Sequence, residues 1–519
     1  MFEEELLSHP DKLFREYIVA GIRFGFPLGF KGPNASYIQK NMSSVREHGD
    51  VVENYIRKEV AAGRILGPFA DPPLENFRAS PIGVIPKKAP NSFRFIMNLS
   101  SPSGASVNDF ISKDDYSLEY VSVDSAIERI LTLGKGCELV KIDVEKAFRI
   151  IPVHPSDWNL LGFAFREEFY IDTVLSMGGR SSPAIFDDVA VAIEWICKSN
   201  YGIDFLIHYL DDYFSAQLPG QGREVLDRII KVFHKLGVPL NEDKIEGPAT
   251  VLEFLGITLD TVVGEARLSE EKVSKLLELL ISFDEKSSCR QKDLLSLVGV
   301  MSFACRVVVP GRSFLSRIIA LAYSVKELHH RIKLPGHFRK DVRIWKRFVE
   351  RWNGREFFIS NEGAVLEAEF STDAAGGVGY GGFHGKQWFS HRWTNEQKSF
   401  SIDTMEMYPI AVAASVWGEK WKNKKVWIHC DNLSVVRAIN GGYTKVPVMS
   451  DLMRVIVFSS MIHNFKFRAT HIPGKLNVLS DHLSRLQVTK FLERVPEARG
   501  HQVRSWEDPL LTCNRILED

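Results

Sequence analysis

The sequence predicts an α+β protein in which two α+β regions are separated by a helical segment. From about residue 120 to 260, short apolar runs of strand character alternate with helical stretches. From 268 to about 352 the apolar residues recur at helical spacing. After about 365, three strand-like runs are separated by glycine-rich turns, which is typical of an antiparallel meander. A chain of 519 residues is long enough for several domains.

The flanking segments complete this prediction. The first 70 residues have helical spacing, most clearly in VVENYIRKEVAAGRIL. An extended pair follows, SPIGVIPKK and SFRFIMNLS, with a turn predicted around Pro90-Asn91. Two further strands, KKVWIHCD and FKFRATHI, come after the meander. Residues 488–519 are polar and are predicted to be a tail or linker.

Composition excludes several classes of protein. The six cysteines form no CxxC pair, which argues against a zinc site and a disulfide framework and fits a reducing intracellular compartment, cytoplasm or nucleus. The start, MFEEELLSHP, lacks the basic and apolar parts of a signal peptide. No apolar run approaches the ~20 residues that span a bilayer, so no membrane partner is expected. The net charge of zero is unusual for a protein that binds nucleic acid.

Basic residues are concentrated in one segment despite this balance. Between positions 326 and 351 there are nine lysines and arginines against three acids, with Trp345 and three histidines among them and Trp352 directly after them. Such a run is either a solvated helical face or a track for a phosphate backbone. If it is a track, the candidate nucleic-acid-binding residues are Lys340, Arg343, Lys346 and Arg347.

One pair of acids interrupts two apolar runs. In LIHYLDDYFSA, Asp211 and Asp212 lie between FLIHYL and YFSA. Because an ionised acid is costly to bury without a partner or a metal, the pair is expected at a hairpin tip. Side chains alternate along a strand, so Asp211 would share a face with Tyr209 and Tyr213, and Asp212 would point the other way.

A possible partner for this pair is Asp143, which ends the apolar strand LVKI. Asp143 could instead be a helix N-cap. If Asp143 and Asp211 lie side by side on neighbouring strands, they form an oxygen-only site of the kind that Mg²⁺ prefers. Two such cations can activate a 3′-hydroxyl and stabilise a leaving pyrophosphate.

An ordered set of motifs resembles the palm of retroelement reverse transcriptases: KIDVEKAFR, LSMGGRSSPAIF, HYLDDYF, LGVPLNEDK and EFLGITLD. Upstream, SPIGVIPKKAPNSFRFIMNLS resembles the fingers hairpin of that family. The resemblance implies a right-hand polymerase of fingers, palm and thumb that extends a DNA primer with dNTPs on an RNA or DNA template. It also implies that Asp143, Asp211 and Asp212 are catalytic, with Asp143 and Asp211 as metal ligands.

The same resemblance implies a nucleotide site. Lys87 and Arg94 would hold the triphosphate, to which an ammonium and a guanidinium are suited. Phe148 would exclude a ribose 2′-hydroxyl, Gly178 would border the nascent base pair, and Lys244 would lie near the pyrophosphate as a proton donor. The chain departs from the retroviral pattern just before Gly178, where Met177 replaces a glutamine.

A second set of acids lies in the C-terminal α+β region, at Asp373, Glu406, Asp431 and Asp481. Each has a structural alternative, such as a capping box that pairs Glu406 with Asp403. Together they resemble the four metal-binding acids of ribonuclease H, and His471 matches that family's mobile histidine. Integrases share this fold, but the order of acids with the histidine favours ribonuclease H. Because a proline is tolerated only in the first turn of a helix, Pro409 predicts that the helix begins close to Glu406.

The resemblance thus predicts an enzyme that copies a template and degrades the RNA strand of an RNA/DNA hybrid, with two Mg²⁺ per active site and Mn²⁺ as a possible substitute. Three segments are most similar to DIRS-type retrotransposons: EVAAGRILGPF, SPIGVIPKK and SFACRVVVPGRSFLSR. These elements mobilise with a tyrosine recombinase, which is a possible partner within a larger polyprotein.

Two alternatives to this enzyme are an inactive nucleic-acid-binding relic and a protein that is a nuclease only. The expected domains are an N-terminal extension (1–79), fingers and palm (80–262), thumb and connection (263–362), ribonuclease H (363–487) and the tail (488–519).

Overall fold

The computed structural model describes residues 1–87, 92–351, 354–356, 367–422, 424–463 and 465–516. The chain divides into two compact units, Met1–Gly264 and Glu265–Asp519. Both units mix helices and strands, which confirms the α+β class. Within the described residues, no helix has the length and apolarity needed to cross a membrane. All six cysteines are free thiols.

The described part of the first unit has a helical beginning followed by alternating strands and helices. Its α-helices are α1 (Phe2–Glu5), α2 (Lys12–Phe24), α3 (Ser43–Glu47), α4 (Gly49–Ala61), α5 (Val123–Leu133), α6 (Ser182–Tyr201) and α7 (Gly222–Leu236). Its strands are β1 (Tyr37–Ile38), β2 (Ile65–Phe69), β3 (Arg78–Ala79), β4 (Ile82–Pro86), β5 (Phe93–Met97), β6 (Glu138–Asp143), β7 (Gly162–Phe165), β8 (Glu168–Asp172), β9 (Ile207–Tyr209), β10 (Asp212–Gln217), β11 (Glu246–Ala249), β12 (Val251–Phe254) and β13 (Ile257–Asp260).

A four-stranded antiparallel sheet lies at the centre of this unit, in the order β11-β6-β10-β9. Helix α7 packs on it through a buried stripe at helical spacing that includes Val225, Ile229 and Val232. A five-stranded sheet of order β1-β3-β7-β8-β2 and the β4–β5 hairpin complete the part that surrounds the first acids. The turn predicted at Pro90-Asn91 lies outside the described residues, but the two strands that flank it pair as expected.

The described part of the second unit begins with helices and ends with a mixed sheet. Its α-helices are α8 (Glu270–Glu285), α9 (Gln291–Ala304), α10 (Ser316–Ala322), α11 (Gly336–Arg351), α12 (Ile402–Trp417), α13 (Leu433–Gly441), α14 (Pro447–Ile462), α15 (Val478–Ser484), α16 (Val488–Arg494) and α17 (Pro509–Ile516). Its strands are β14 (Glu265–Leu268), β15 (Ser288–Arg290), β16 (Arg331–Lys333), β17 (Gly354–Glu356), β18 (Glu367–Ala375), β19 (Gly379–His384), β20 (Gln387–Arg392), β21 (Lys425–Cys430) and β22 (Lys466–His471).

The predicted meander forms one side of a five-stranded sheet in the order β20-β19-β18-β21-β22. Strands β18, β19 and β20 pair antiparallel, whereas β21 pairs parallel to β18 and to β22. A parallel pair needs a long crossover, and here α12 precedes β21 while α13 and α14 connect β21 to β22. The carboxyl ends of β18 and β21 consequently lie side by side.

The prediction of a polar tail at 488–519 is wrong over its described part, because residues 488–516 fold onto the mixed sheet. The Val503 amide donates to the Trp388 carbonyl at 2.8 Å, and the Trp388 indole donates to the Ala498 carbonyl at 3.0 Å. Phe491 and Cys513 are buried. Val488, Phe491, Leu492 and Val495 recur at helical spacing over α16 and its C-cap, but this run is short, and the prediction followed the polar composition of the whole segment instead.

The expectation that a helix begins close to Glu406 is also wrong. Helix α12 begins at Ile402, where the Ser401 hydroxyl accepts a hydrogen bond from the Thr404 amide, and Pro409 lies inside the helix. A proline in a helix interior costs about 3 kcal/mol. Almost every side chain from 404 to 414 is buried, and this packing against the sheet and α14 offsets that cost.

The second unit contains an ion pair with no exposed surface. Arg454 of α14 donates to the Asp341 carboxylate of α11 at 3.1 Å, and both side chains are 0% exposed. Arg454 also donates to the Asp451 carboxylate at 3.3 Å, so removing Asp341 leaves a fully buried guanidinium with a single, partly exposed carboxylate partner. We therefore expect Asp341→Ala to lower the free energy of unfolding by about 3 kcal/mol in urea denaturation.

The matched control is the double substitution Asp341→Leu with Arg454→Met, which removes both charges and keeps much of the volume. Its stability should be within about 1 kcal/mol of the unsubstituted protein. Equal losses in the single and the double variant would contradict this account of the ion pair.

Candidate active sites

Three acids meet at one end of the central sheet of the first unit. Strand β6 ends at Asp143, and β10 begins at Asp212, which is the register partner of Asp143. Asp211 lies in the turn between β9 and β10, and its carbonyl accepts a hydrogen bond from the Val144 amide at 3.0 Å. Leu210, the other turn residue, has a φ of 53°, so the turn between the two strands is tight.

The faces on which Asp211 and Asp212 lie differ from those that the alternation of strand side chains predicts. Directly paired residues of an antiparallel ladder project from the same face, so Asp212 rather than Asp211 is the cross-strand neighbour of Asp143. The prediction extended the strand through Asp211, whereas the strand is interrupted by the Leu210–Asp211 turn. The expected hairpin tip is present.

The three carboxyl groups influence one another. Burial, and then the nearby charges of Asp211 and Asp143, raise the pKa of Asp212 to about 6. Burial and the charge of Asp143 raise the pKa of Asp211, against the opposing charges of Lys244 and Arg94. Because like charges repel at short range, a cation bound between these oxygens would relieve the repulsion. Carboxylate oxygens of this kind fit a divalent metal.

Lys244 lies beside this cluster, although it is 101 residues further along the chain than Asp143. Its ammonium donates to the Asp143 carboxylate at 2.7 Å, and the hydrogen bond raises the pKa of Lys244. The Asp143 side chain is 4% exposed, whereas the Lys244 side chain is about half exposed. The lysine is therefore a protonated donor at the rim of the acids.

The two basic residues of the fingers hairpin share one face. Ile85 pairs with Arg94 in the β4–β5 ladder, and the Lys87 amide donates to the Ser92 carbonyl at 2.7 Å, so alternation puts Lys87 and Arg94 on the same side. Both side chains are exposed. The opposite side of the hairpin packs against the protein. Arg94 is near enough to the acids to lower the pKa of Asp211.

Phe148 and Gly178 lie on segments that are packed around the same end of the sheet. The half-buried Phe148 ring meets Phe186 of α6 edge-to-face, with centroids 5.7 Å apart. At Gly178 a Cβ would lie 2.1 Å from the Met97 carbonyl oxygen, so only glycine fits against β5. The preceding residue, Met177, is 52% exposed.

Asn108 is a residue of this site that the sequence reasoning missed. Its side-chain amide donates to the Gly178 carbonyl at 2.9 Å and accepts from the Arg180 amide at 2.8 Å. Both bonds hold the glycine loop in place. Asn108 is in a short 3₁₀ turn outside the recognised motifs, and no local pattern distinguishes it from an ordinary turn asparagine.

The second unit brings its four acids to the carboxyl ends of two parallel strands. Asp373 is in β18, Asp431 directly follows β21, Glu406 is in the first half of α12 and Asp481 is in α15. Asp373 and Glu406 are each 7% exposed. The Asp481 carboxylate accepts a hydrogen bond from Arg485 at 2.7 Å, and the Ser484 hydroxyl donates to Asp373.

Crowding of these acids is strongest at Glu406. Burial, and then the charges of Asp373 and Asp431, raise its pKa to about 9. Burial raises the pKa of Asp373 to about 6, with contributions from the charges of Asp431 and Asp481. One oxygen of Glu406 is buried and has no hydrogen-bond partner among the described residues. A divalent cation would bind this buried oxygen and reduce the repulsion between the carboxylates, so the residues present fit a metal.

A thiol also belongs to this cluster and was not expected from the sequence. Among the described residues, one group of three possible ligand side chains has its ligand atoms within 4.8 Å of one another, and it consists of Glu406, Cys430 and Asp431. The signal for Cys430 was its position next to Asp431 at a strand end. Burial raises the pKa of Cys430 to about 12, so in this structure the group is a neutral thiol.

His471 ends β22 at the edge of this site. It is exposed, and its Nε2 lies 3.1 Å from the Asp431 carbonyl oxygen. Gly474 follows closely, and a Cβ there would lie 3.0 Å from the Asp431 carboxylate. The loop after β22 therefore passes close to the Asp431 carboxylate, and the end of β22 brings the His471 imidazole to the rim.

The basic segment is largely part of the helical packing of the second unit. Arg343 pairs with Asp284 of α8 at 3.1 Å, and Trp345 is fully buried against Gly311. Trp345 is consequently a core residue and not a stacking platform, and Trp352 lies outside the described residues. Three of the four proposed track residues are half-buried, namely Lys340, Lys346 and Arg347.

Comparison with known proteins gives a family match over the part of the chain that contains the first site. Residues 85–259 match the family described as reverse transcriptase (RNA-dependent DNA polymerase). The Gag-Pro-Pol polyprotein of human T-cell leukemia virus 3 (strain 2026ND) is 22% identical over 260 residues, 48% of this chain, and that of mouse mammary tumor virus (strain BR6) is 25% identical over 125 residues, 22% of this chain. These alignments span only 17% and 7% of the two polyproteins.

Solved structures match over nearly the whole chain. The foamy viral protease-reverse transcriptase in complex with RNA/DNA hybrid has a TM-score of 0.53 at 16% identity, covering 90% of this chain and 62% of that one. Its dRH form in complex with double-stranded DNA also has a TM-score of 0.53, at 15% identity, covering 91% of this chain and 81% of that one. At such identity the likeness shows the fold, and it confirms the predicted polymerase fold with a following domain.

The crowded state of Glu406 gives a prediction about stability. Its pKa is about 9 in the folded chain against an ordinary 4.5. Between these values the unfolded chain loses the proton and the folded chain keeps it, so folding becomes less favourable as the pH rises from about 4.5 to 9. In the presence of a chelator, Glu406→Gln should raise the free energy of unfolding by at least about 1 kcal/mol at pH 8, with little gain at pH 4.5.

The measurement is urea denaturation at the two pH values, with Glu419→Gln as the control because Glu419 is exposed. The control variant should show no gain at either pH. A Glu406→Gln variant that is less stable at pH 8 would contradict the account of crowding.

Proposed function

We propose that this chain is a retroelement reverse transcriptase that extends a DNA primer with dNTPs and degrades the RNA strand of an RNA/DNA hybrid. The observation that supports this most is the ladder between β6 and β10, which sets Asp143 opposite Asp212 beside the Asp211 turn. The second cluster of four acids supports the ribonuclease H half of the proposal.

In the polymerase step, Asp143, Asp211 and Asp212 would hold divalent cations, Mg²⁺ or in its place Mn²⁺. Such cations, when bound, activate a 3′-hydroxyl and stabilise a leaving pyrophosphate. Lys87 and Arg94 would bind the triphosphate from the shared face of the hairpin, since their charges neutralise the departing phosphates. Lys244 keeps a proton at its ammonium and would donate it to the pyrophosphate.

Selection of the nucleotide would depend on two packed groups. Phe148, held by Phe186, would fill the space that a ribose 2′-hydroxyl needs. Gly178 would border the nascent base pair, and Asn108 keeps its loop against β5. A bulky ring in a close-packed pocket discriminates by overlap, so deoxynucleotides are the proposed substrates.

In the hydrolytic step, Asp373, Glu406, Asp431 and Asp481 would hold a pair of cations against the RNA phosphodiester. When bound, these cations activate water for attack on phosphorus. His471, the last residue of β22 at the rim, would move protons between the site and solvent.

We further propose that the element is of the DIRS type and that a tyrosine recombinase is a partner region of its polyprotein. The segments EVAAGRILGPF, SPIGVIPKK and SFACRVVVPGRSFLSR support this assignment. The half-buried Lys340, Lys346 and Arg347 remain the proposed track for the hybrid, with Arg343 contributing charge while paired to Asp284.

The two activities should be separable by single isosteric substitutions. With Mg²⁺, we expect Asp211→Asn to abolish primer extension on an RNA template, with a loss of at least about 10³-fold, and to leave hybrid cleavage within about twofold. Asp431→Asn should have the reverse effect. Primer extension and hybrid-cleavage assays on both variants check this.

The reciprocal pattern also excludes the alternatives. An unsubstituted chain that binds hybrid without either activity would be a nucleic-acid-binding relic. Cleavage that depends on Asp431 in the absence of any extension would make the chain a nuclease only.

The track has its own test. Replacing Lys340, Lys346 and Arg347 by Ala should make the slope of log K against log salt shallower by about one unit per lost phosphate contact. Measuring hybrid binding at several salt concentrations from about 50 to about 200 mM gives the slope. Replacing the exposed Lys12, Lys31 and Lys231 is the control for loss of charge alone, and an unchanged slope in the track variant would place the hybrid elsewhere.

A further inference from the structure

Arg149 is a buried cation that the mechanism above does not use. It lies in a 3₁₀ turn, Ala147–Ile150, and is 8% exposed. Its Nε and Nη2 donate to the same oxygen of Glu59 in α4, at 3.0 and 2.8 Å, and its Nη1 donates to the Asp172 carboxylate at the end of β8. All three side chains are less than one-tenth exposed.

The cluster is closed by a second guanidinium. Arg64 donates to both oxygens of Glu59, at 2.7 and 2.8 Å. Burial acts to raise the pKa of Glu59, but Arg64 and Arg149 outweigh it and lower that pKa to about 2. Two arginines and two carboxylates thus balance their charges inside the first unit. A buried ion cluster contributes little net stability. We therefore ask which parts of the first unit its geometry holds in place.

The turn that carries Arg149 is weakly held by its own backbone. The Arg149 amide donates to the Lys146 carbonyl at 2.6 Å, and Lys146 has a φ of 55°. A 3₁₀ turn has poorer hydrogen-bond geometry than an α-helix, so contacts of its side chains can contribute to its support. The guanidinium of Arg149 supplies that support, and the residue before it is Phe148, whose ring lies against Phe186.

Helix α4 extends this connection to the fingers hairpin. Tyr55 lies one helical turn before Glu59, and its ring stacks on Phe95 of β5 with centroids 4.3 Å apart and planes 13° apart. Phe95 is the neighbour of Arg94. One helix therefore contacts the hairpin through Tyr55 and the Phe148 turn through Glu59.

We propose that Arg149 is a positioning residue for sugar discrimination, because it ties the Phe148 turn to α4 and, through α4, to the hairpin that carries Arg94. This inference rests on the proposed function, which assigns the gate to Phe148. A guanidinium is required at position 149, since its planar fork reaches Glu59 and Asp172 at once, whereas an ammonium is a point charge.

The test is single-nucleotide incorporation by the full chain with dGTP and with GTP, reported as kcat and KM for each. Arg149→Lys and Glu59→Gln should each lower the dGTP-to-GTP ratio of kcat/KM by about tenfold, because a ring displaced by about 1 Å no longer excludes the 2′-hydroxyl. The loss should appear mainly as faster incorporation of GTP.

A matched control exists on the same helix. Arg166, in the β7–β8 turn, pairs with Glu53 of α4 at 2.6 Å, but both side chains are about half exposed. Arg166→Gln should leave the selectivity ratio unchanged, because an exposed pair contributes little. Thermal unfolding of each variant distinguishes loss of the fold from loss of selectivity. If Arg149→Lys does not fold, the selectivity ratio of Glu59→Gln tests the proposal instead.

Phe148→Ala distinguishes this inference from the function on which it rests. If Phe148→Ala lowers the ratio and Glu59→Gln does not, the positioning role of Arg149 is overturned while the gate stands. If Phe148→Ala leaves the ratio unchanged, the gate itself fails and Arg149 has no discrimination to support. Loss of thermal stability with an unchanged ratio would likewise make Arg149 structural only.

Discussion

Carboxylates that are held close together inside a protein repel one another, and both candidate sites depend on a fold that overcomes this repulsion. Burial and neighbouring acids raise the pKa of Asp212 to about 6 and that of Glu406 to about 9. Each shift reflects free energy that favours protonation in the folded chain. The carboxylates stay close together because hydrogen bonds and packing hold the surrounding backbone in place. A bound cation would make their proximity favourable.

The support is a pair of hydrogen-bonded ladders. In the first unit, the antiparallel register of β6 and β10 forces Asp143 and Asp212 into opposition, and α7 packs the same sheet from one side. In the second unit, the parallel pairing of β18 and β21 brings Asp373 and Asp431 to one edge, while α12 carries Glu406 there. Basic groups at the rims, Lys244 and Arg485, reduce the repulsion without removing it.

Strands with apolar runs and glycine turns were predictable, because periodicity records which face of an element is buried. The hairpin tip, the meander and the two clusters of acids all followed from such local patterns and from motif order. The predictions that failed concern packing. Pro409 lies within α12 because its neighbours are buried, and residues 488–516 fold because apolar side chains such as Phe491 and Cys513 are buried within the second unit. Trp345, expected beside a nucleic-acid track, belongs to the interior.

The sequence by itself determined which chemical groups are available. It contains the carboxylates in their order and the basic hairpin, and residues 85–259 carry the family resemblance. Tertiary structure decided which of these groups meet. The opposition of Asp212 to Asp143, the thiol of Cys430 beside Glu406 and the link from Glu59 to Arg149 join residues that are distant in the chain. No local pattern encodes these contacts, because register and burial are set by the summed packing of whole elements.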